Sequence, residues 1–441
     1  MTVGTFNSFH CNIGDKMFKL NEHLHIQPSI LAVSLVSLVV MMGSTMVTPS
    51  LTLYAKQDLG ANEFLVGAVI AGFAIGRLIF DVPAGFLADR LGLSRTMILG
   101  LGILIGASIL AGFASSYWVL LFARLLEGVA SSIYVSAAIA FVLLSSDPAK
   151  RGTNIGSYQS ILMLGPIVGP VVGAPIAEFF GYNAPYFAFA ALIFGAAIIM
   201  SIFSRRRKFN IEKVEEHEHE NREASMAAYL NTAAIATFGF AFLRSGIYTT
   251  GVPLFAYGSL NLSVFDMGII LTMASLANLI SSFFSGRLTQ SYGMQKPLFG
   301  AILLSGLLVA IIPLSTSMVY LLVVITLIGI TSGFFGQSIA WAAEQIEEKV
   351  KRIGKTNFRV AQGVQSHVTR GIGFNRMIGD LGLILGPLFI GYFITIFSKD
   401  PLVWFISFGS TSGVLLVLAS FLMLDTKVKV KSTVRSADDR V

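Results

Sequence analysis

Twelve apolar stretches, each about twenty residues long, follow one another from Ile30 to Leu424 with turns or charged breaks between them. A run of that length is what an α-helix needs to cross the ~30 Å hydrocarbon core of a bilayer. Within that core a helix satisfies its own backbone groups, so few other structures are open to such a chain. The centres fall near Val39, Ile75, Leu104, Ile133, Val168 and Ile193, then near Phe242, Leu276, Leu307, Gly329, Leu385 and Leu415. Only 12% of the 441 residues are charged, where a soluble domain carries roughly 25%, so the polar surface of a water-soluble fold is lacking. The sequence predicts an all-α polytopic membrane protein with twelve transmembrane helices.

The helices divide six and six. The stretch DVPAGFLADRLGLSR, from Asp81 to Arg95, lies between the second and third apolar runs. It is expected to turn at Gly85 and Gly92 and to place Asp89, Arg90 and Arg95 where the chain meets water. A weaker copy, GRLTQSYGMQK, begins at Gly286 in the second half. PSLTLYAKQDLG after Pro49 is echoed by PLFAYGSLNLS after Pro253, and Gly169-Pro170 by Gly386-Pro387. Matched positions are further apart at the last pair than at the first, which places an insertion late in the second half; the charged segment 344–370 is the expected loop. The reading is thus a tail at 1–27, a six-helix bundle at 28–203, a polar linker at 204–225, a second bundle at 226–424 and a tail at 425–441.

Lys and Arg fix the expected orientation, because they are retained on the cytoplasmic side. With the N-terminus inside, the inner loops carry Arg90, Arg95, Lys150, Arg151, Arg205 to Lys208, Lys296 and the 349–370 segment, and the outer loops only Lys56 and Lys399. Both termini and the linker are then cytoplasmic in a multi-pass protein of the plasma membrane. The net charge of +7 marks topology and needs no nucleic-acid partner. The single Cys11 excludes an internal disulfide or a cysteine metal site. The segment before Gln27 has no apolar core followed by a small-residue cleavage site, so it is not read as a signal peptide. His217 and His219 lie in a charged linker and read as solvated rather than metal-binding. Gly354-Lys355-Thr356 lacks the rest of a phosphate loop, with Lys349 at the place of the first glycine. No nucleophile–base or metal constellation points to an enzyme, and no cofactor or metal is expected.

Charged residues inside the apolar runs carry the functional expectations, since each costs ~2.5–3.5 kcal/mol at a helix centre unless paired or facing water. Arg124 and Glu127 are three apart on one helical face. They form either a structural ion pair or a proton site whose affinity the arginine controls, because burial raises a carboxyl pKa while a nearby cation lowers it. Arg77 with Asp81 and Arg376 with Asp380 are expected to pair within their own helices, toward the cytoplasmic ends. Arg244 has no acid three or four residues away, so its partner must be Glu127, an anionic substrate group, or carbonyls and water.

The loop at Gly85, Leu87, Asp89, Arg90 and Gly92 resembles the one between the second and third helices of the major facilitator superfamily. Leu93 and Ser94 stand in place of its basic pair, and Gln290 in place of the acid in the second copy. Arg124 and Gly128 resemble the fourth-helix motif of that superfamily, with Glu127 where glutamine is usual. The fifth-helix string Gly156, Gly165, Gly169, Pro170 and Gly173 resembles its antiporter motif, the last glycine being Ala174 here. The resemblance spans almost the whole chain. It implies two six-helix repeats with a substrate site between them. It also implies an inner gate of Arg77, Asp81, Gly85, Asp89, Arg90, Gly92, Arg376 and Asp380, with Asp89 near the start of the eleventh helix. The expectation is a monomeric transporter working by alternating access, with protons, a small molecule and the lipid bilayer as its partners. Proton-coupled export of small organic or lipophilic compounds through Arg124, Glu127 and Arg244 leads. A uniporter or symporter for a metabolite such as an organic acid, and a non-transporting sensor, stay open. The sugar-porter signature after the sixth helix is replaced by SRRRKFN.

Overall fold

The computed structural model of the chain describes residues 27–146, 151–206, 232–354 and 364–438. All regular structure in those residues is helical. Among the described residues eleven helices are long and apolar enough to cross a membrane. In the first half these are α1 (Pro28–Asp58), α2 (Glu63–Leu91), α3 (Leu93–Gly112), α4 (Tyr117–Leu144), α5 (Thr153–Phe180) and α6 (Ala184–Ile202, its backbone continuing to Arg206). In the second they are α8 (Val264–Tyr292), α9 (Gln295–Leu314), α10 (Met318–Glu348), α11 (Val364–Ile396) and α12 (Val403–Asp438). The place of α7 is taken by three consecutive pieces, Thr232–Leu243, Arg244–Gly251 and Val252–Ser259, the middle one π-helical. The expected all-α, twelve-helix architecture is therefore present.

Local chemistry fixes the helix starts. The Asn62 side chain accepts the Leu65 N–H at 2.9 Å at the head of α2, and Ser263 with Asp266 forms a capping box on α8. Gly92 and Gly293 end α2 and α8 with φ of 80° and 78°, a conformation that strains any residue with a Cβ. The turns expected at Gly85 and its counterpart Gly286 do not occur. Both glycines lie inside their helices, because one glycine costs a helix only ~1 kcal/mol and the flanking residues continue it.

The described parts of the charged segment 344–370, residues 344–354 and 364–370, are helix rather than loop. The α10 helix continues to Gly354 and α11 starts at Val364. Glu347 and Glu348 stand four residues before Lys351 and Arg352, a spacing that supports helix. Likewise α6 enters the expected linker and α12 passes residue 424. Cys11, His217, His219 and Lys355 lie outside the described residues.

Small residues let the helices approach closely, which is how membrane helices associate without a hydrophobic drive. Gly72, Gly76 and Gly128 bring α2 against α4, where a Cβ on Gly128 would stand 2.9 Å from Arg77 N. Gly165, Gly169 and Gly173 seat α5 on α1, with Met42 N 2.8 Å from a Cβ on Gly165 and Met46 C 2.6 Å from one on Gly173. Gly156, the first glycine of that string, faces open space. Between the halves α2 lies against α11 and α5 against α8.

The bundle has one end rich in basic residues, with Arg90, Arg95 and Lys296, and a sparse end with Lys56 and Lys399. At the sparse end the halves are sealed. The Tyr257 hydroxyl donates to Pro49 O, Thr52 Oγ1 to Thr249 O at 3.3 Å, and Phe64 N–H to Thr395 Oγ1 at 2.9 Å. Further in, Thr272 Oγ1 donates to Ile167 O at 3.4 Å and Arg77 meets Asp380. Among the described residues every hydrogen bond between the halves lies at that level or toward the sparse end. Asp89, Arg90 and Gly92 at the basic end are exposed, and Asp89 makes no ion pair among the described residues. Among the described residues the halves are thus joined by hydrogen bonds at the sparse end and not at the basic end.

Candidate functional site

Among the described residues Arg77, Asp81, Arg124, Glu127, Arg244, Arg376 and Asp380 lie within the apolar helices, and they fall into two groups. The first is enclosed in the first half. Arg124, on α4 seven residues from Tyr117, donates through a guanidinium nitrogen to Glu127 Oε2. Ser108 of α3 donates to Glu127 Oε1 at 3.3 Å. The Arg124 guanidinium stands over the Phe73 ring of α2, 5.1 Å from its centroid, and the Tyr186 hydroxyl of α6 lies beside it. Glu127 is 1% exposed and Arg124 7%. The pair therefore sits where α2, α3, α4 and α6 meet, and Glu127 does not reach Arg244. Arg124 Nε and the Tyr186 hydroxyl have no hydrogen-bond partner among the described residues.

The second group lies between the halves. Arg77 is midway along α2, not toward its basic end, and it pairs with Asp380 of α11. The two expected pairs within single helices do not form. Helices α2 and α11 pack close, a Cβ on Gly391 standing 2.6 Å from Glu63 O, and this brings Arg77 onto Asp380. Asp81, left by Arg77, accepts instead from Ser132 Oγ of α4 at 2.6 Å. Asp81 and Arg376 both remain close enough to act on Asp380 electrostatically. All four predicted residues thus share one cluster with a different pairing. Arg77 Nε and Asp380 Oδ2, both buried, have no hydrogen-bond partner among the described residues.

Arg244 opens the π-helical piece of α7. Its side chain is exposed, whereas Ser245, Gly246 and Ile247 after it are buried. Arg77 across the interface acts on it electrostatically, and the Tyr248 hydroxyl lies one turn on. It therefore borders the space between the halves, with no carboxylate bonded to it among the described residues.

Ser108, Ser132, Phe73, Tyr186 and Tyr248 complete these groups and carry no sequence signal. Serine and tyrosine are common in apolar helices, and each becomes a partner only when another helix is laid beside it.

The description of the Major Facilitator Superfamily matches residues 33–358. The chain is 24% identical to the quinolone resistance protein NorA of Staphylococcus aureus (strain MRSA252), over 86% of this chain and 93% of that protein. It is 28% identical to multidrug resistance protein 2 of Bacillus subtilis (strain 168), over 56% of this chain and 63% of that one. Among solved structures it resembles a bacterial homolog of the human lysosomal transporter Spinster in an inward-facing, unoccupied conformation. That match has a TM-score of 0.69 at 14% identity, covering 91% of this chain and 97% of the other.

Proposed function

The chain belongs to the Major Facilitator Superfamily, and from that premise we propose that it exports small organic, lipophilic compounds in exchange for protons. The site is the space between the halves, entered from the basic end, where the described residues form no hydrogen bond between the halves. Retention of Lys and Arg on the inner side makes that end cytoplasmic. Both termini then face the cytoplasm, the membrane is the plasma membrane and the unit is a monomer. Substrate enters from inside, the basic ends close, and the sparse end parts. Asp89 is the closing contact, held by its charge against the start of α11.

The observation that carries proton coupling is Glu127, a carboxyl buried in a membrane helix and bonded to one arginine and one serine. Exchange requires a carboxyl that is protonated in one limb of the cycle and ionised in the other. Arg124 holds the ionised form, and Gly128, next in sequence, packs against the backbone of Phe73 and Arg77 on α2. Movement of α2 against α4 would disturb the pair and pass the change to the Arg77–Asp380 bridge. The names of the two bacterial relatives support organic compounds as cargo.

Glu127→Gln keeps the shape and removes the titration. In liposomes the variant should lose accumulation driven by a pH gradient yet still exchange labelled for unlabelled substrate. Equal responses of variant and wild type to the gradient would sink Glu127 as the coupling group. Wild-type flux indifferent to the gradient would instead favour the uniport of an organic acid.

A further inference from the structure

The enclosed pair and the cluster between the halves together hold the arginines Arg77, Arg124, Arg244 and Arg376 and the carboxylates Asp81, Glu127 and Asp380. Arg124 is matched by Glu127 and Arg77 by Asp380. Arg376 lies beside Asp380, near which Asp81 contributes the remaining negative charge. Arg244 is left without a counter-charge. A cation in that position is retained only where it faces water or something that binds it.

We propose that the transported compound carries a carboxylate or an equivalent anionic group, and that Arg244 receives it in the space between the halves. This rests on the transport reading above and narrows its cargo. Arg244 is exposed, and the charge that acts on it from the other half is a second guanidinium, Arg77. Arg77 spends a terminal nitrogen on Asp380, and although its Nε is buried, its side chain remains 22% exposed. Two guanidinium groups facing one gap with no acid bonded to Arg244 form a receptor for an anion, because such groups bind carboxylates through directed, charge-assisted hydrogen bonds. Tyr248, one turn along α7, offers a hydroxyl whose contact in the present conformation is Ser332 Oγ at 3.4 Å. An organic cation entering the same gap would meet the unmatched charge of Arg244, and that disfavours amines as cargo.

The test uses the purified full-length protein in nanodiscs, with naphthoate and decanoate, their amides and the corresponding amines as probes. The acids should raise the melting temperature of the wild type, and the amides and amines should not. Arg244→Gln should weaken acid binding by about tenfold or more, the scale of one charge-assisted hydrogen bond, and Arg244→Lys should restore part of it. Without any probe, Arg244→Gln should melt no lower than the wild type, since it removes an unmatched charge. No stabilisation by either acid, equal stabilisation by the amides, or unchanged acid binding in Arg244→Gln would overturn the proposal. So would a probe-free loss of stability as large as that of Arg77→Gln, because Arg244 would then already have a structural partner. Transport in liposomes separates the two claims. If amines bind and follow a pH gradient, the exporter stands and the anion site falls. If the acids bind through Arg244 but nothing crosses, the anion site stands and the exporter falls.

Discussion

At Gly391 on α11 a single methyl group should change the resting conformation of the whole molecule. A Cβ there would lie 2.6 Å from Glu63 O and 3.1 Å from Phe64 Cα, both backbone atoms of α2. Ordinary contact begins near 3.4 Å, so the two helices must part by about 0.8 Å with no side chain free to swing aside. The bond from Phe64 N–H to Thr395 Oγ1 would stretch with them. Overpacking of this kind costs ~1–3 kcal/mol, and here it acts only in the state closed at the sparse end. The balance between the two states should therefore move by roughly 5–150-fold away from the present one in Gly391→Ala. Spin labels at Arg90 and Tyr292 report the basic end, and labels at Gln57 and Lys399 the sparse end; all four positions are exposed. The variant should enrich short distances at the basic end and long ones at the sparse end. Gly195→Ala, whose Cβ would meet nothing within 4 Å, is the control and should change neither. Unaltered distances in a well-folded Gly391→Ala protein, or a larger basic-open population, would refute the idea that this contact sets the closure.

Arg77→Gln should destabilise the protein by ~3 kcal/mol or more, because it strands the buried Asp380 carboxylate. Adding Asp380→Asn should recover much of that loss in thermal melts, and a double variant no more stable than the single one would count against the pair. A leucine at Gly173 would collide with the Met46 backbone and should cut the yield of folded protein, whereas leucine at Gly156, which faces open space, should not; equal yields would be the contrary result. Cysteines introduced at Ser116 and Asn183 should react with an impermeant reagent from outside the cell, and one at the exposed Arg95 should not; the opposite pattern would invert the topology.

The membrane helices could be read from the sequence because hydrocarbon leaves a chain so few choices, and apolar length is a one-dimensional property. Charge pairing was less legible. Arg77 and Asp81 are a sound pair on one helix by spacing, yet the contact across the halves takes Arg77 away. That outcome depends on how closely α2 and α11 approach, which Gly67 and Gly391 permit and which no local pattern announces. Arg124 and Glu127 were visible because both partners lie on one helix. Their burial toward Ser108 and Tyr186, away from Arg244, depends on the rotation of α4, which only the assembled bundle fixes. Gly85 misled for a simpler reason: a glycine beside charged residues looks like a turn, and only the following Gly92, at positive φ, ends the helix.

The first helix of each half, α1 and α7, contains a π-helical stretch, but on opposite sides of the matched prolines. Tyr54–Asp58 follows Pro49, whereas Arg244–Gly251 precedes Pro253. A π-bulge holds one residue more than the α-helical turn it replaces. Each residue turns an α-helix by about 100°, so the bulge sets the direction in which everything after it faces. Tyr257 reaches the Pro49 carbonyl from the piece that follows. Removing one residue between 244 and 251 would let that stretch close to a regular α-helix and leave the side chains from Val252 to Ser259 facing as they do, whereas removing one from the α-helical Thr232–Leu243 would turn them all by about 100°. The seal at this end is thus encoded partly as a residue count. It should survive a single-residue deletion within the π-helical stretch and fail on one in the α-helical piece before it.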